Sequence, residues 1–235
     1  MRFEWTRTSA VSMRLVLVAR RRFRARRSTR RKVATELEHH AALPDAALDM
    51  KRQVLFVQGG GESVHDDWDA KLVESLRSEL GPDYEVRYPR MPNEEDPTYA
   101  KWKATLKKEL AALNDGAILV GHSIGGTMLI NALAEHAPER ELGAIFLIAA
   151  PFVGEGGWQS DDWKPQRELG GKLPGGVPIY LYHGLADDTA PPSHAELFAH
   201  AIPQAHLCHL PNRDHQLNND LSEIAASIKS LEASA

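Results

Sequence analysis

The chain has one cysteine, Cys208, among 235 residues. An intrachain disulfide is therefore impossible, and the composition fits a reducing compartment such as the cytoplasm. No apolar run approaches the roughly 18 residues that cross a bilayer, so no membrane partner is expected. Internal repeats and heptads are absent too, which excludes solenoids and coiled coils. The composition is otherwise ordinary for a globular protein, with 43% hydrophobic and 26% charged residues. It can bury a full core in one domain, or two at most.

The net charge of −4 hides two opposed parts. Residues 1–49 hold twelve Lys and Arg against five Asp and Glu, whereas residues 50–235 hold sixteen against twenty-seven. The acidic body excludes a nucleic-acid-binding surface there. In the front segment, Leu15-Val16-Leu17-Val18 precedes the basic block Arg20–Arg27, the reverse of a secretory leader. Residues 1–49 are expected to be a disordered basic extension. A transit peptide or a nucleic-acid-binding tail are alternatives. Another is that translation starts at Met50, which opens directly into the first strand pattern.

From residue 50 strand and helix patterns alternate, predicting a single α/β domain over 50–235. Strands are expected at Gln53–Gln58, Tyr84–Tyr88, Ala117–Val120, Ala144–Ala149, Val177–Tyr182 and Ala205–Leu210. Helices are expected at Trp68–Leu80, Tyr99–Leu113, from Thr127, at Ser193–Ala201 and at Leu221–Leu231. Residues 150–176 form a loop insertion without sustained periodicity. Its two tryptophans, Trp158 and Trp163, suggest that it covers an acyl pocket and binds substrate.

Gly121-His122-Ser123-Ile124-Gly125-Gly126 lies between a strand and a helix pattern. A G-x-S-x-G in that setting is the nucleophile elbow of α/β-hydrolases. Gly121 and Gly125 let strand and helix approach closely, and the serine is presented above a helix N-terminus. A serine hydroxyl needs a base, and the base an orienting acid, which follow in the order Ser, Asp, His. Asp187, in the turn His183-Gly184-Leu185-Ala186-Asp187-Asp188, is the preferred acid over Asp188. Of eleven histidines, His215 lies in a loop just after the last strand. His122 and His183 are set aside by position, one within the elbow and one ending a strand.

An oxyanion hole needs two backbone donors. The amide of Ile124 is one candidate. Gly60 is the other, with Gly59 and Gly61 as near alternatives in the turn after the first strand. That turn lacks the Walker lysine and the GxGxxG spacing of a phosphate cradle. His65, Asp66, Asp67 and Asp69 are not expected to bind metal; Asp66 or Asp67 should instead cap the helix that begins at Trp68.

These residues carry a resemblance over about 50–231. FVQGGGES followed by Trp68, YPRMPN at 88–93, GHSIGG at 121–126, HGLADDTAP at 183–191 and RDHQL at 213–217 are similar to the small serine hydrolase family that includes retinoblastoma-binding-protein-like hydrolases. The resemblance implies Ser123, Asp187 and His215 as a triad, no cofactor, and a sheet lacking the first two strands of larger hydrolases. The tryptophan-bearing insertion and residues 1–49 depart from the family.

The expected architecture is a compact α/β-hydrolase fold of six mainly parallel strands, in order 2-1-3-4-5-6 with helices on both faces. The expected activity is hydrolysis of small-molecule acyl esters or thioesters through an acyl-enzyme. Amide or lactone cleavage on the same triad and a binding module with a vestigial triad are the alternatives.

Overall fold

A computed structural model of the chain describes residues 51–162, 164 and 166–231. The readings made for residues 1–49 and for Trp163 lie outside the described residues. Six strands, β1 (Arg52–Val57), β2 (Tyr84–Arg87), β3 (Ala117–His122), β4 (Leu142–Ile148), β5 (Ile179–Gly184) and β6 (His206–Leu210), form one sheet. Every pairing is parallel, in the order β2-β1-β3-β4-β5-β6.

Continuous apolar runs suit strands covered on both faces. All six residues of β3 are buried. Successive side chains alternate between two cores. Leu55, Val57, Leu119, Ile145 and Leu147 point to one face, with Trp102, Leu129 and Phe198. Val54, Phe56, Ile118, Val120 and Phe146 point to the other, with Leu72, Leu76, Ile224 and Ile228. The first core is covered by α2 (Tyr99–Ala111), α3 (Ser123–Glu135), the short α4 (Leu169–Lys172) and α5 (Ser193–Ala201). The second is covered by α1 (Asp69–Leu80) and α6 (Ser222–Ser230).

This division follows from the strand order. The chain moves outward from β1 to β2, then returns past β1 to β3 and continues to β6. Right-handed crossovers then place α1 on one face and α2, α3 and α5 on the other. The reversal lies between β1 and β3, and ligand sites of open parallel sheets form at the carboxyl ends beside such a reversal.

Several boundaries differ from the sequence reading. α3 begins at Ser123 rather than Thr127, because Gly125 and Gly126 are helical residues pressed against neighbouring backbone. A Cβ on Gly125 would stand 1.9 Å from the Gln58 carbonyl oxygen, and one on Gly121 2.5 Å from the Gly126 Cα. β5 starts at Ile179, beyond Pro178, which has no N–H to give to a ladder.

Neither Asp66 nor Asp67 caps α1, correcting the expectation. A π-helical turn, Val64–Trp68, runs into α1 without a break, and the position preceding α1 has no side-chain cap. Asp66 pairs instead with His65 and Arg90. Asp69 does not belong with the surface cluster: it is fully buried.

The 150–176 insertion is tied down at several points. Thr127 Oγ1 donates to the Pro151 carbonyl at 2.6 Å, and the Phe152 N–H donates to His194 Nδ1 at 3.0 Å. Asp162 accepts the Tyr99 N–H at the start of α2, and Asn131 Oδ1 accepts the Gln166 N–H. Leu169 and Leu173 are buried in the α2–α3 core. The four-residue α4 was illegible in sequence because two of its residues are glycines.

Candidate active site

Four strand ends supply the site. β3 ends at His122, and Ser123 opens α3 with φ 50°. That left-handed conformation is costly for a residue with a Cβ and persists only where its surroundings enforce it. The loop after β5 carries Asp187, and the loop after β6 carries His215. These two loops share backbone bonds from the Leu185 N–H to the Leu210 carbonyl and from the Ala186 N–H to the Arg213 carbonyl, each 3.0 Å. A Cβ on Gly184 would lie 2.1 Å from the Arg213 oxygen, so only glycine permits that approach.

The sequence-predicted Ser123, His215 and Asp187 meet in one hydrogen-bonded chain. His215 Nε2 is 3.0 Å from Ser123 Oγ, and His215 Nδ1 is 2.8 Å from Asp187 Oδ2. With a carboxylate at Nδ1, the ring proton sits there, leaving Nε2 as acceptor for the Ser123 O–H. Asp188 is exposed and stands apart from this chain.

Asp187 is buried yet its pKa is held below the usual carboxylate range. Burial opposes the charge, but hydrogen bonds from His183 and His215 more than offset it. Oδ1 accepts the Thr189 and Ala190 N–H groups, both at 2.9 Å. Oδ2 lies 3.0 Å from His183 Nε2. The same His183 nitrogen lies 2.9 Å from the Ala190 carbonyl oxygen, so the carboxylate is held as an anion by three donors of its own and one that it shares.

The turn after β1 separates its three glycine amides. The Gly59 N–H donates to Asp69 Oδ2 at 2.7 Å, and the Gly61 N–H to the Glu94 carbonyl at 2.6 Å. The Gly60 N–H has no acceptor among the described residues. Gly60 also lies beside Ile124: a Cβ there would be 3.0 Å from Ile124 Cγ2. Ile124 is in the first turn of α3, whose amides lack an i−4 carbonyl within the helix. Of the alternatives left open in sequence, Gly59 and Gly61 thus have committed amides, while Gly60 does not.

Sequence reasoning missed the supports of this turn. Gln58 Oε1 accepts the Met91 N–H at 2.9 Å, and its Nε2 donates to Glu94 Oε2 at 2.5 Å. Trp102, wholly buried, donates to the Pro92 carbonyl at 2.8 Å, anchoring that segment to the core. His183 was also missed. A histidine inside a strand gives no signal by itself, and only the fold brings it to Asp187.

Trp158 lies in the loop after β4, 39% exposed, with its ring edge-on to His194 at 5.7 Å between centroids. Burial keeps the His194 pKa low, consistent with its Nδ1 accepting from Phe152. Among the described residues no helix is long and apolar enough to cross a membrane, and no group of three His, Cys, Asp or Glu could hold a metal ion.

Residues 54–220 match the model of a family described as serine hydrolase. No curated protein matches the chain. Among solved structures, the ydeN gene product of B. subtilis is similar at 19% identity and TM-score 0.62, over 78% of this chain and 100% of its own. Est1E from Butyrivibrio proteoclasticus aligns at 17% identity and TM-score 0.55, over 81% of this chain and 90% of its own. A monoacylglycerol lipase from Paleococcus ferrophilus aligns at 14% identity and TM-score 0.55, over 78% and 95%. At these identities the likeness is one of fold, and the fold is that of the α/β-hydrolases. The family match runs over more than half of the chain, and this chain therefore belongs to the serine hydrolase family.

Proposed function

We propose that the chain cleaves small acyl esters or thioesters, with Ser123 as nucleophile, His215 as base and Asp187 as orienting acid. The observation that carries this reading is the unbroken hydrogen-bonded chain from Ser123 Oγ through His215 to an Asp187 carboxylate held as an anion. Ser123 Oγ attacks the acyl carbonyl carbon as its proton passes to His215 Nε2. The carbonyl oxygen becomes an oxyanion, which accepts hydrogen bonds from the Gly60 and Ile124 amides. The tetrahedral intermediate collapses, the bond to the leaving group breaks, and the leaving group takes the proton from Nε2. Water, deprotonated by the same nitrogen, then attacks the acyl-enzyme, and Ser123 is expelled with its proton restored.

In this reading the turn from β3 into α3 is a nucleophile elbow. The positive φ of Ser123 lifts its oxygen clear of the sheet, and the first-turn amides of α3 favour developing negative charge. Trp158, on the loop that follows β4, is the side chain proposed to meet the acyl group.

The test is turnover of p-nitrophenyl esters of increasing chain length, together with labelling by a fluorophosphonate probe. Wild type should label and should prefer short acyl groups. Ser123→Ala should abolish labelling and lower kcat by about 10⁴–10⁶-fold, as expected of a triad acting as a unit. Retention of more than about a tenth of wild-type activity by Ser123→Ala would refute the mechanism.

A further inference from the structure

His122 precedes the serine and is buried, as is Asp69. Its Nδ1 lies 2.9 and 3.0 Å from the two Asp69 carboxylate oxygens. Its Nε2 lies 3.0 Å from the main-chain carbonyl oxygen of His215. Both partners are acceptors. A neutral imidazole offers one N–H and one lone pair, so either neutral tautomer would aim a lone pair at an oxygen. A second proton must therefore lie between Nδ1 and Asp69. Imidazole is the stronger base, and the Gly59 N–H already donates to Asp69 Oδ2 at 2.7 Å, so the proton belongs on the ring.

Asp69 and His122 thereby join three segments that are remote in sequence. Asp69 holds Gly59, adjacent to the free Gly60 amide. His122 is bonded covalently to Ser123. Through Nε2 it holds the backbone of His215, whose side chain is aimed separately by Asp187. We propose that Asp69 and His122 form a buried carboxylate–imidazolium pair that positions the oxyanion amide and the base loop against the nucleophile. Both are positioning residues rather than catalytic ones, and the proposal rests on the acyl-transfer reading of Ser123, His215 and Asp187. Burial opposes the charge on His122, but Asp69 more than offsets it, and the His122 pKa is raised. The other titratable groups facing His122 are His215, with ring centroids 5.1 Å apart, and the Asp187 carboxylate.

A misplacement near 1 Å costs on the order of 10²-fold in rate, and that sets the expected effect. Asp69→Asn keeps an acceptor for Gly59 but cannot sustain the imidazolium, so His122 surrenders one of its bonds. On a short p-nitrophenyl ester, with active sites counted by fluorophosphonate, kcat per site should fall about 10²-fold. KM should stay within about three-fold, because ground-state contacts are kept. Affinity for a trifluoromethyl ketone, which mimics the tetrahedral intermediate, should fall by the same factor as kcat/KM. His122→Asn should match it, and the double variant should be no worse than either single one. A merely structural role would reduce the number of active sites and the Tm while leaving kcat per site within about three-fold of wild type. That outcome overturns the proposal.

Nitrogen-15 NMR of histidine-labelled wild type provides a measurement that needs no variant to be active. His122 should show both ring nitrogens protonated at neutral pH, where an ordinary histidine is largely neutral. A neutral tautomer refutes the ion pair. If wild type neither labels nor turns over any ester, the acyl-transfer reading fails, a result separate from the NMR outcome.

Discussion

Asp187→Asn changes one atom of the acid and should remove nearly all turnover. In wild type Oδ1 accepts two amides and Oδ2 faces the N–H groups of His215 and His183. The asparagine oxygen must take the Oδ1 place, since the Thr189 and Ala190 amides can only donate. Its NH₂ then meets His215 Nδ1. The ring responds by moving its proton to Nε2, and a protonated Nε2 cannot accept from Ser123. The equivalent carboxylate-to-amide change in a serine protease lowers kcat about 10⁴-fold, so a loss of about 10²–10⁴-fold is expected here. At 1.36 kcal/mol per tenfold, that is about 3–5 kcal/mol of transition-state stabilisation. The assay is kcat on a short p-nitrophenyl ester, with circular dichroism to verify folding. Asp188→Asn, on an exposed residue outside the chain, should change the rate only a few-fold. Activity of Asp187→Asn within about ten-fold of wild type, or a worse result for Asp188→Asn, would refute the assignment.

Acid denaturation should report the same carboxylate. The folded pKa of Asp187 is depressed, so its stabilising contribution is present above the unfolded value near pH 4 and is lost as pH falls below it. Urea midpoints of wild type and Asp187→Asn should therefore differ most above about pH 5 and converge as the pH falls. Gly125→Ala should push the Gln58 carbonyl away from α3 and sharply lower both Tm and activity, because the added Cβ would sit 1.9 Å from that oxygen; an unaltered Tm would contradict the packing. Trp158→Ala should shift chain-length preference on the p-nitrophenyl series, and an unchanged profile would reduce the loop to a connector. Trp102→Ala should destabilise by about 3–5 kcal/mol in denaturant unfolding, since that side chain is fully buried and anchors Pro92.

What was legible in the sequence is local in origin. The central strands, covered on both faces, read as continuous apolar runs, and the shorter, partly exposed edge strands β2 and β6 were marked by the turns around them, so all six were visible within a few residues. Ser123, Asp187 and His215 were visible because each follows a strand in a turn whose glycine, proline and asparagine chemistry marks the place. The supports of the site are non-local. Asp69 stands beside two surface aspartates in sequence, and only the approach of α1 to β3 makes it a buried partner of His122, 53 residues away. The link from His122 to His215 spans 93 residues and ends on a main-chain oxygen, which has no sequence signature. The choice of Gly60 over Gly59 and Gly61 likewise depends on which amides Asp69 and Glu94 have already taken. The sequence by itself determined the order of elements and the three groups proposed to react, because hydrophobic periodicity and turn chemistry act over a few residues. Only the tertiary structure decided how those groups are held, because buried charges and backbone donors find their partners across the sheet.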